Sequence, residues 1–483
     1  MYVYRKEEIR EIDREAEEKG LSVFTLMENA GSGLYRAISK RITKQQTVCI
    51  VCGKGNNGGD GIVLGRYLLQ NGYHAKLYFP FGLPEIDKPA GRHLTYLKSC
   101  GFSPVTEELT ADVWIDGLLG IGFRQPLRKE ASEAISFLNR QQGTKIAIDL
   151  PSGVEADSGN TDEAFQADFT YCLHGFKPSA FSHPSKSYYG EAEVVDVGLP
   201  RSGKIKIWTE NDAVRALPSF QTSAHKGTFG TGYLIAGSDE MPGSVLLAGM
   251  GALRSGIGKL TIGTTRFAAG IAAGVIPEST YELEGLQKTA NGYVPEKIKA
   301  AAIGPGLEDG EVLNDAIHVL LKQDIPVVLD AGALKERSYP KRDIPPILTP
   351  HPGEFSRISG LSVQEIQSSR IDSALTYARK HRVILVLKGE QTVIAFPDGE
   401  AIVNQSGNAA LAKGGSGDTL TGMLTAFLCT HRTVKEAIAN AVYIHGKTAD
   451  RWIEKYGERT MTASDISALL PEVIKHLERK KEG

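Results

Sequence analysis

Short apolar runs recur along the whole chain, most of them ending in a turn rich in Gly, Asn or Asp and leading into a stretch with helical periodicity. In the first half such runs fall at 48–52, 75–79, 113–116, 146–150 and 169–173, with a closing run at 191–197. Helical stretches at 5–19 and 22–42 precede them, and another at 61–71 follows the first run. Strands that alternate with helices imply a parallel sheet covered on both faces. The expected fold class is therefore α/β, beginning with a Rossmann-like doubly wound domain. The second half has runs at 232–236, 259–264, 300–303, 327–330, 347–349, 383–388 and 392–396, with helices at 243–254 and 418–429. The two halves share no motif that aligns, so they read as two different α/β domains rather than a duplication.

Length supports the division. A chain of 483 residues exceeds one hydrophobic core, since cores stop growing at roughly 250–300 residues. Residues 201–227 are polar and irregular, which places the boundary near Asn211 and the domains at 1–211 and 212–483. A formal net charge of −2 gives no field for nucleic acid or an anionic membrane. No apolar run reaches the roughly 18 residues that cross a bilayer, and residues 1–18 lack the apolar stretch of a signal peptide. A cytoplasmic location is expected. Cys49 and Cys52 form a C-x-x-C, but within a strand positions offset by three point to opposite faces, so they read as small buried residues.

The first constellation that carries chemistry is Gly-Lys-Gly-Asn-Asn-Gly-Gly-Asp-Gly at 53–61, between an expected strand and an expected helix. Glycines let the backbone approach a phosphate, and the N–H groups of the helix start donate to it. It is neither the dinucleotide fingerprint nor a P-loop. Asp116 ends one strand and leads into 117–123. Asp149 ends another and leads into Leu150, Pro151, Ser152 and Gly153. Ligands of open α/β sheets bind outside the carboxyl ends of the strands. Three such ends supply Asn57, Asp116, Asp149 and Ser152, oxygen donors suited to a hard cation.

Over residues 1–211 these motifs resemble the epimerase domain of NAD(P)H-hydrate repair enzymes. The resemblance implies that Asn57, Asp116 and Ser152 hold a potassium ion. It implies that the hydrate is held by Asn56, Asn57, Gly58, Gly59 and Asp60, and by Gly120, Ile121, Gly122, Phe123, Arg124, Gln125 and Pro126. Asp149 is then the carboxylate that transfers protons near the nicotinamide ring.

The second constellation is Gly-Gly-Ser-Gly-Asp at 414–418, which opens a helix. The glycines would present N–H groups to an anion, and Asp418 in the first turn would take a proton from a substrate hydroxyl. Phosphoryl transfer needs both. The segment resembles the signature of ribokinase-like folds. Residues 212–483 more narrowly resemble the ADP- or ATP-dependent NAD(P)H-hydrate dehydratases, through the segments at 249–256, 303–307, 348–354 and 387–392. The resemblance implies adenine-nucleotide binding by Lys388, Gly389, Glu390, Gln391, Thr392 and Gly417. It implies hydrate binding by Ala252, Gly306, His351 and Asp418, with Asp418 also catalytic. Ser416 stands where threonine is common in the family, and either hydroxyl is able to donate to phosphate. Mg²⁺ is expected with the nucleotide, without an assignable acidic pair.

Together the two resemblances imply an isomerase and a lyase in one chain, a metabolite-repair enzyme acting on the R and S forms of NADHX and NADPHX. ADP is favoured over ATP as co-substrate, and a homo-oligomer, a tetramer by family resemblance, is expected. Two alternatives stand beside this reading. One is a ribokinase-like small-molecule kinase with an accessory N-terminal binding domain. The other is a non-catalytic N-terminal module of the kind found in messenger-RNA decapping scaffolds, which the retained Asp116, Asp149 and 56–60 turn disfavour.

Overall fold

The computed structural model describes residues 1–104, 110–219, 223 and 225–482, so residues 220–222 and 224 of the expected irregular stretch lie outside the described residues. The chain divides into two compact units, Met1–Ile205 with Gln367–Ser369, and Lys206–Ile366 with Arg370–Gly483.

In the first unit six parallel strands lie in the order His74–Tyr78, Thr47–Cys52, Val113–Gly117, Thr144–Ile148, Phe169–Leu173, Glu191–Val195. Alternation along the strands covers both faces, as a doubly wound sheet requires. Val48, Ile50 and Cys52 pack with Leu34, Ile62 and Leu94 of the helices Val23–Ile38, Asn56–Gln70 and Pro89–Ser99. Cys49, Val51 and Trp114 pack with Ile135 and Leu138 of the helix Lys129–Arg140. Each fully buried Ile or Leu contributes about 1.5–3 kcal/mol. Cys49 and Cys52 are thus buried in clusters on opposite faces, and both are free thiols.

The strand order reverses between Thr47–Cys52 and Val113–Gly117, and a crevice opens at the carboxyl ends of such a pair. Glycine is required in the turn there. A Cβ on Gly53 would lie 2.0 Å from the Leu118 carbonyl oxygen, and one on Gly58 1.9 Å from that of Gly53. The helix after this turn begins at Asn56 rather than 61. Its first turns are Asn and Gly, weak helix formers that hide the start. The strand expected at 146–150 stops at Ile148, and Asp149 turns the chain with a left-handed φ of 67°.

In the second unit the strands run in the order Ile205–Trp208, Ala401–Asn404, Val393–Ala395, Ile384–Leu387, Ile347–Leu348, Val327–Leu329, Ala300–Ile303, Thr231–Ile235, Lys259–Thr264, Thr280–Leu283. From Ile384–Leu387 to Thr280–Leu283 every pairing is parallel. Ile384–Leu387, Val393–Ala395 and Ala401–Asn404 instead form an antiparallel meander, so residues 388–392 are the turn of a hairpin. Two elements arise within the stretch expected to be irregular: the strand Ile205–Trp208 and the helix Glu210–Ala216, held by a capping box between Thr209 and Asp212.

The helix Ser416–Thr430 crosses the helix Pro242–Arg254 at very short range. A Cβ on Gly422 would sit 1.8 Å from the Ala248 carbonyl oxygen, and one on Gly251 2.4 Å from that of Thr419. Glycines on both helices therefore let the backbones touch, which places the first turn of Ser416–Thr430 beside Ser244.

Candidate active sites

In the first unit the reversal of strand order places the turns after Thr47–Cys52, Val113–Gly117 and Thr144–Ile148 side by side. Asp116 is fully buried, and its carboxylate joins two of them. Oδ1 accepts from the Leu118 N–H at 3.0 Å and the Ser152 hydroxyl at 2.6 Å, while Oδ2 accepts from the Ser152 N–H at 2.8 Å. The third is tied in through Leu119, whose N–H donates to Ser152 Oγ at 2.8 Å and whose carbonyl accepts from Asn57 Nδ2 at 2.8 Å. Burial pushes the Asp116 carboxyl up to about 6 against its bonds from Ser152 and Leu118, and among the described residues no cationic side chain is a cause of its shift. Asn57, Asp116 and Ser152, all buried, thus form an oxygen-rich nest around a carboxylate that lacks a counter-charge among the described residues. A weakly hydrated cation fits such a donor set.

Beside this nest is a cavity of about 800 Å³. Asn56, Asn57, Asp60, Gly120, Ile121, Gly122, Phe123, Arg124, Pro126 and Asp149 line it. Gly58, Gly59 and Gln125 do not. Gly58 and Gly59 pack against Gly53 and Met27, and Gln125 ties down its loop through Glu155, Gly153 and Leu127. Asp149 Oδ1 accepts from the Leu173 N–H at 2.9 Å and pairs with the Lys177 ammonium. Lys177 is completely buried, and its other donors go to the carbonyls of Leu173 and Gly175, each at 3.1 Å.

Asp13 also lines this cavity, and both it and Asp60 have shifted carboxyls. Asp60 is held well above the usual carboxylate range by burial, then by the neighbouring Asp149 and Asp13. Asp13 is raised by burial and Asp149. His174, buried and stacked on Tyr4 at 4.8 Å, has no hydrogen-bond partner for either ring nitrogen among the described residues. Burial, then Lys177 and Arg201, lower it to about 4. Asp13, His174 and Lys177 were not singled out from sequence. Lys177 carried a signal, since it follows a strand end by four residues, as the recognised groups follow theirs more closely.

In the second unit the helix behind the glycine turn begins at Ser416, with Gly415 as its N-cap at φ 86°. Ser416, Gly417 and Asp418 therefore fill the first turn, whose N–H groups lack partners within the helix. The Ser416 hydroxyl, read as a potential phosphate donor, is turned back onto the carbonyls of Leu411 at 2.9 Å and Lys413 at 3.0 Å. From behind, buried His445 bonds the Ser416 carbonyl through Nε2 at 3.0 Å; burial lowers it to about 4, so the neutral ring donates.

Asp418 and Gly306 line a cavity of about 590 Å³ together with Ser244 and Glu354. Burial pushes the Asp418 carboxyl up to about 6. A bond from Ser244 and the Lys388 charge oppose this, and Asp330 and Glu354 add to it. A base so poised is ionised at neutral pH yet holds a proton well enough to take one. Lys388 lies against the turn, since a Cβ on Gly417 would be 3.2 Å from its Nζ. Lys388 also binds Asp330 at 3.0 Å. The hairpin of residues 388–392 is supported by buried Arg370, which donates to the Leu387 and Lys388 carbonyls at 3.1 Å. Within it Thr392 closes onto the Gly389 carbonyl at 3.1 Å.

Ala252 is fully buried in its helix and does not line the cavity. His351 is exposed and caps the helix Pro352–Ser359, with Nδ1 accepting from the Gly353 N–H at 3.0 Å. That bond fixes the proton on Nε2, which faces the Glu354 carboxylate at 3.5 Å. Asp330 and His445 were missed because neither belongs to a motif.

A doubly wound unit with a carboxylate-lined cavity, joined to an α/β unit with an aspartate behind a glycine turn, defines a two-site enzyme. Residues 233–472 match a family model described as NAD(P)H-hydrate dehydratase, and residues 23–179 one described as YjeF-related protein N-terminus. The bifunctional NAD(P)H-hydrate repair enzyme Nnr of Moorella thermoacetica is 32% identical over 522 residues, covering 100% of this chain and 98% of the relative. The ADP-dependent (S)-NAD(P)H-hydrate dehydratase of Bacillus subtilis is 49% identical over 274 residues, 57% of this chain and 99% of the relative. The crystal structure of the ADP/ATP-dependent NAD(P)H-hydrate dehydratase from Bacillus subtilis, co-crystallised with ATP/Mg²⁺, superposes with a TM-score of 0.56 at 49% identity, over 57% of this chain and 100% of that one. The chain belongs to the family of bifunctional NAD(P)H-hydrate repair enzymes.

Proposed function

We propose that residues 1–211 interconvert the R and S hydrates of NADH and NADPH, and that residues 212–483 dehydrate the S form at the expense of ADP, releasing AMP and phosphate. The observation that carries this is Asp418, half-buried at a helix head between Ser244 and Lys388 with its carboxyl raised to about 6.

In the dehydratase, Asp418 takes the proton of the ring hydroxyl as its oxygen bonds to the terminal phosphorus of ADP and the bond to AMP breaks. The new phosphate ester is a good leaving group. It departs with the C–O electron pair, and loss of the neighbouring ring proton restores the double bond. The first-turn N–H groups and Lys388 stabilise the charge on the moving phosphoryl group, and residues 388–392 with Gly417 hold the nucleotide. Gly306 and His351 help to hold the hydrate, and Ala252 acts only through the helix it packs. Mg²⁺ entering with the nucleotide would offset phosphate charge, and Glu354, which lines the same cavity as Asp418, is one carboxylate that would meet it.

In the epimerase, Asp60 and Asp149 divide the proton work. Asp60, held neutral by burial, protonates the departing hydroxyl, and Asp149 beside the Lys177 ammonium accepts a proton from the water that returns on the other face. Asn57, Asp116 and Ser152 would hold potassium, whose charge would balance Asp116 and help attract the anionic hydrate. A cytoplasmic location suits these substrates.

The test is incubation with mixed epimers and ADP, following NADH absorbance. Full recovery from the mixture supports both activities, recovery of only the S fraction removes the epimerase, and no recovery with ADP or ATP removes the whole reading. The kinase alternative requires a stable phosphorylated product in the mass spectrum.

A further inference from the structure

Asp330 follows the strand Val327–Leu329 and is 1% exposed, a position where an ionised carboxylate survives only if its lone pairs are engaged. They are engaged by three separate segments. Oδ1 accepts from the Thr349 hydroxyl at 2.7 Å and from Lys388 Nζ at 3.0 Å, and Oδ2 accepts from the Thr421 hydroxyl at 2.7 Å. Thr349 and Lys388 each follow the next strands of the sheet, and Thr421 is one turn into the helix that carries Asp418. One carboxylate thus links the ends of three strands to the helix head, and its cationic partner is the side chain lying against Gly417.

We propose that Asp330 is a positioning residue for the dehydratase, keeping Lys388 protonated and aimed at the glycine turn, where the ammonium meets the transferring phosphoryl group. The inference rests on the reading of that turn as the nucleotide-phosphate site. The groups facing Lys388 are Asp330, Glu354 and Asp418, which favour its charge against burial, and neutral His445 behind the turn. Asp418 and Glu354 also face the reaction cavity. Asp330 faces inward and is the anion left to hold the ammonium when a phosphoryl group engages the others. With Asp330 made neutral, burial of the amine prevails and its charged form is lost as pH rises.

The experiment is the pH profile of dehydratase kcat for the full chain, with epimerisation by the other unit as internal reference. In Asp330→Asn one of the Thr349 and Thr421 hydroxyls keeps an oxygen acceptor, and the other turns to accept from the amide N–H. The variant is expected to lose roughly 10- to 100-fold at pH 8.5 and to recover much of it toward pH 7, a basic limb absent from the parent. In Lys388→Met, adding Asp330→Asn changes kcat no further. A loss by one factor at every pH, or a loss that multiplies with that of Lys388→Met, overturns the proposal. A Lys388→Met enzyme with parental kcat and KM for ADP instead sinks the reading of the glycine turn itself. Should Asp330→Asn not fold, Thr421→Val takes its place. It loosens Oδ2 and gives the same limb in part, and a T421V profile parallel to the parent's, or identical with it, overturns the proposal.

Discussion

Replacing Asp418 by Asn separates activity from stability in opposite directions. In the folded protein its carboxyl is raised from an ordinary 3.8 to about 6, burial being the main cause. Above pH 6 the native state therefore holds an ionised group that is easier to ionise when unfolded, at a cost of about 3 kcal/mol. The sign follows from the raised value: the cost shrinks as pH falls from 6 toward 4, is gone about a unit below the ordinary 3.8, where both states are protonated, and is complete once pH has passed 6. Asn fills the same volume, keeps a polar partner for Ser244 and removes the cost. At pH 7.5 the D418N variant should melt higher by roughly 5–10 °C for a unit of this size, and at pH 4 most of that gain should be gone. Dehydratase kcat should fall roughly 10²- to 10⁴-fold with loss of the base. The parental rate should itself decline as pH falls through about 6. The assays are differential scanning calorimetry at the two pH values and NADH formation from the separated S hydrate. A loss under tenfold, or an equal melting shift at both pH values, refutes the account of Asp418 as a partly buried base.

Asp149→Asn should abolish interconversion of the separated epimers, read by chromatography, while S-hydrate dehydration continues at the parental rate. Potassium chloride, compared with lithium chloride at equal strength, should stabilise the first unit against heat increasingly as pH rises through about 6. That gain should vanish in Asp116→Asn, because the carboxyl must ionise to hold the ion. Gly422→Ala forces a methyl group to 1.8 Å from the Ala248 carbonyl oxygen. It should destabilise the second unit by about 1–3 kcal/mol, seen as a lower denaturation midpoint, with dehydration impaired as the helix head shifts.

What was legible in the sequence follows from how parallel sheets are built. Asn57, Asp116, Asp149 and Ser152 each lie at or shortly after the end of an apolar run, and all such ends gather at one edge, so their convergence is readable in the sequence. Residues 414–418 were readable for the same reason, as a glycine turn ahead of a helix. Strand direction leaves no trace in periodicity, which is why the hairpin of residues 388–392 was indistinguishable from one more parallel strand. The strand Ile205–Trp208 escaped notice because four residues with a lysine among them make too short a pattern. Asp13, Lys177, Asp330 and His445 reach the sites from segments whose own patterns say only helix, turn or strand end. A buried carboxylate shared by Thr349, Thr421 and Lys388 is a property of packing alone.

The backbone-to-backbone crossing of Ser416–Thr430 and Pro242–Arg254 has a mechanical consequence. With glycines at the crossing and Ser244 bonded to Asp418, the base and its neighbours form a stiff anvil with no side-chain cushion in which to tilt. Any squeezing of nucleotide against hydrate must come from segments outside that crossing, such as the His351 cap and the hairpin after Leu387.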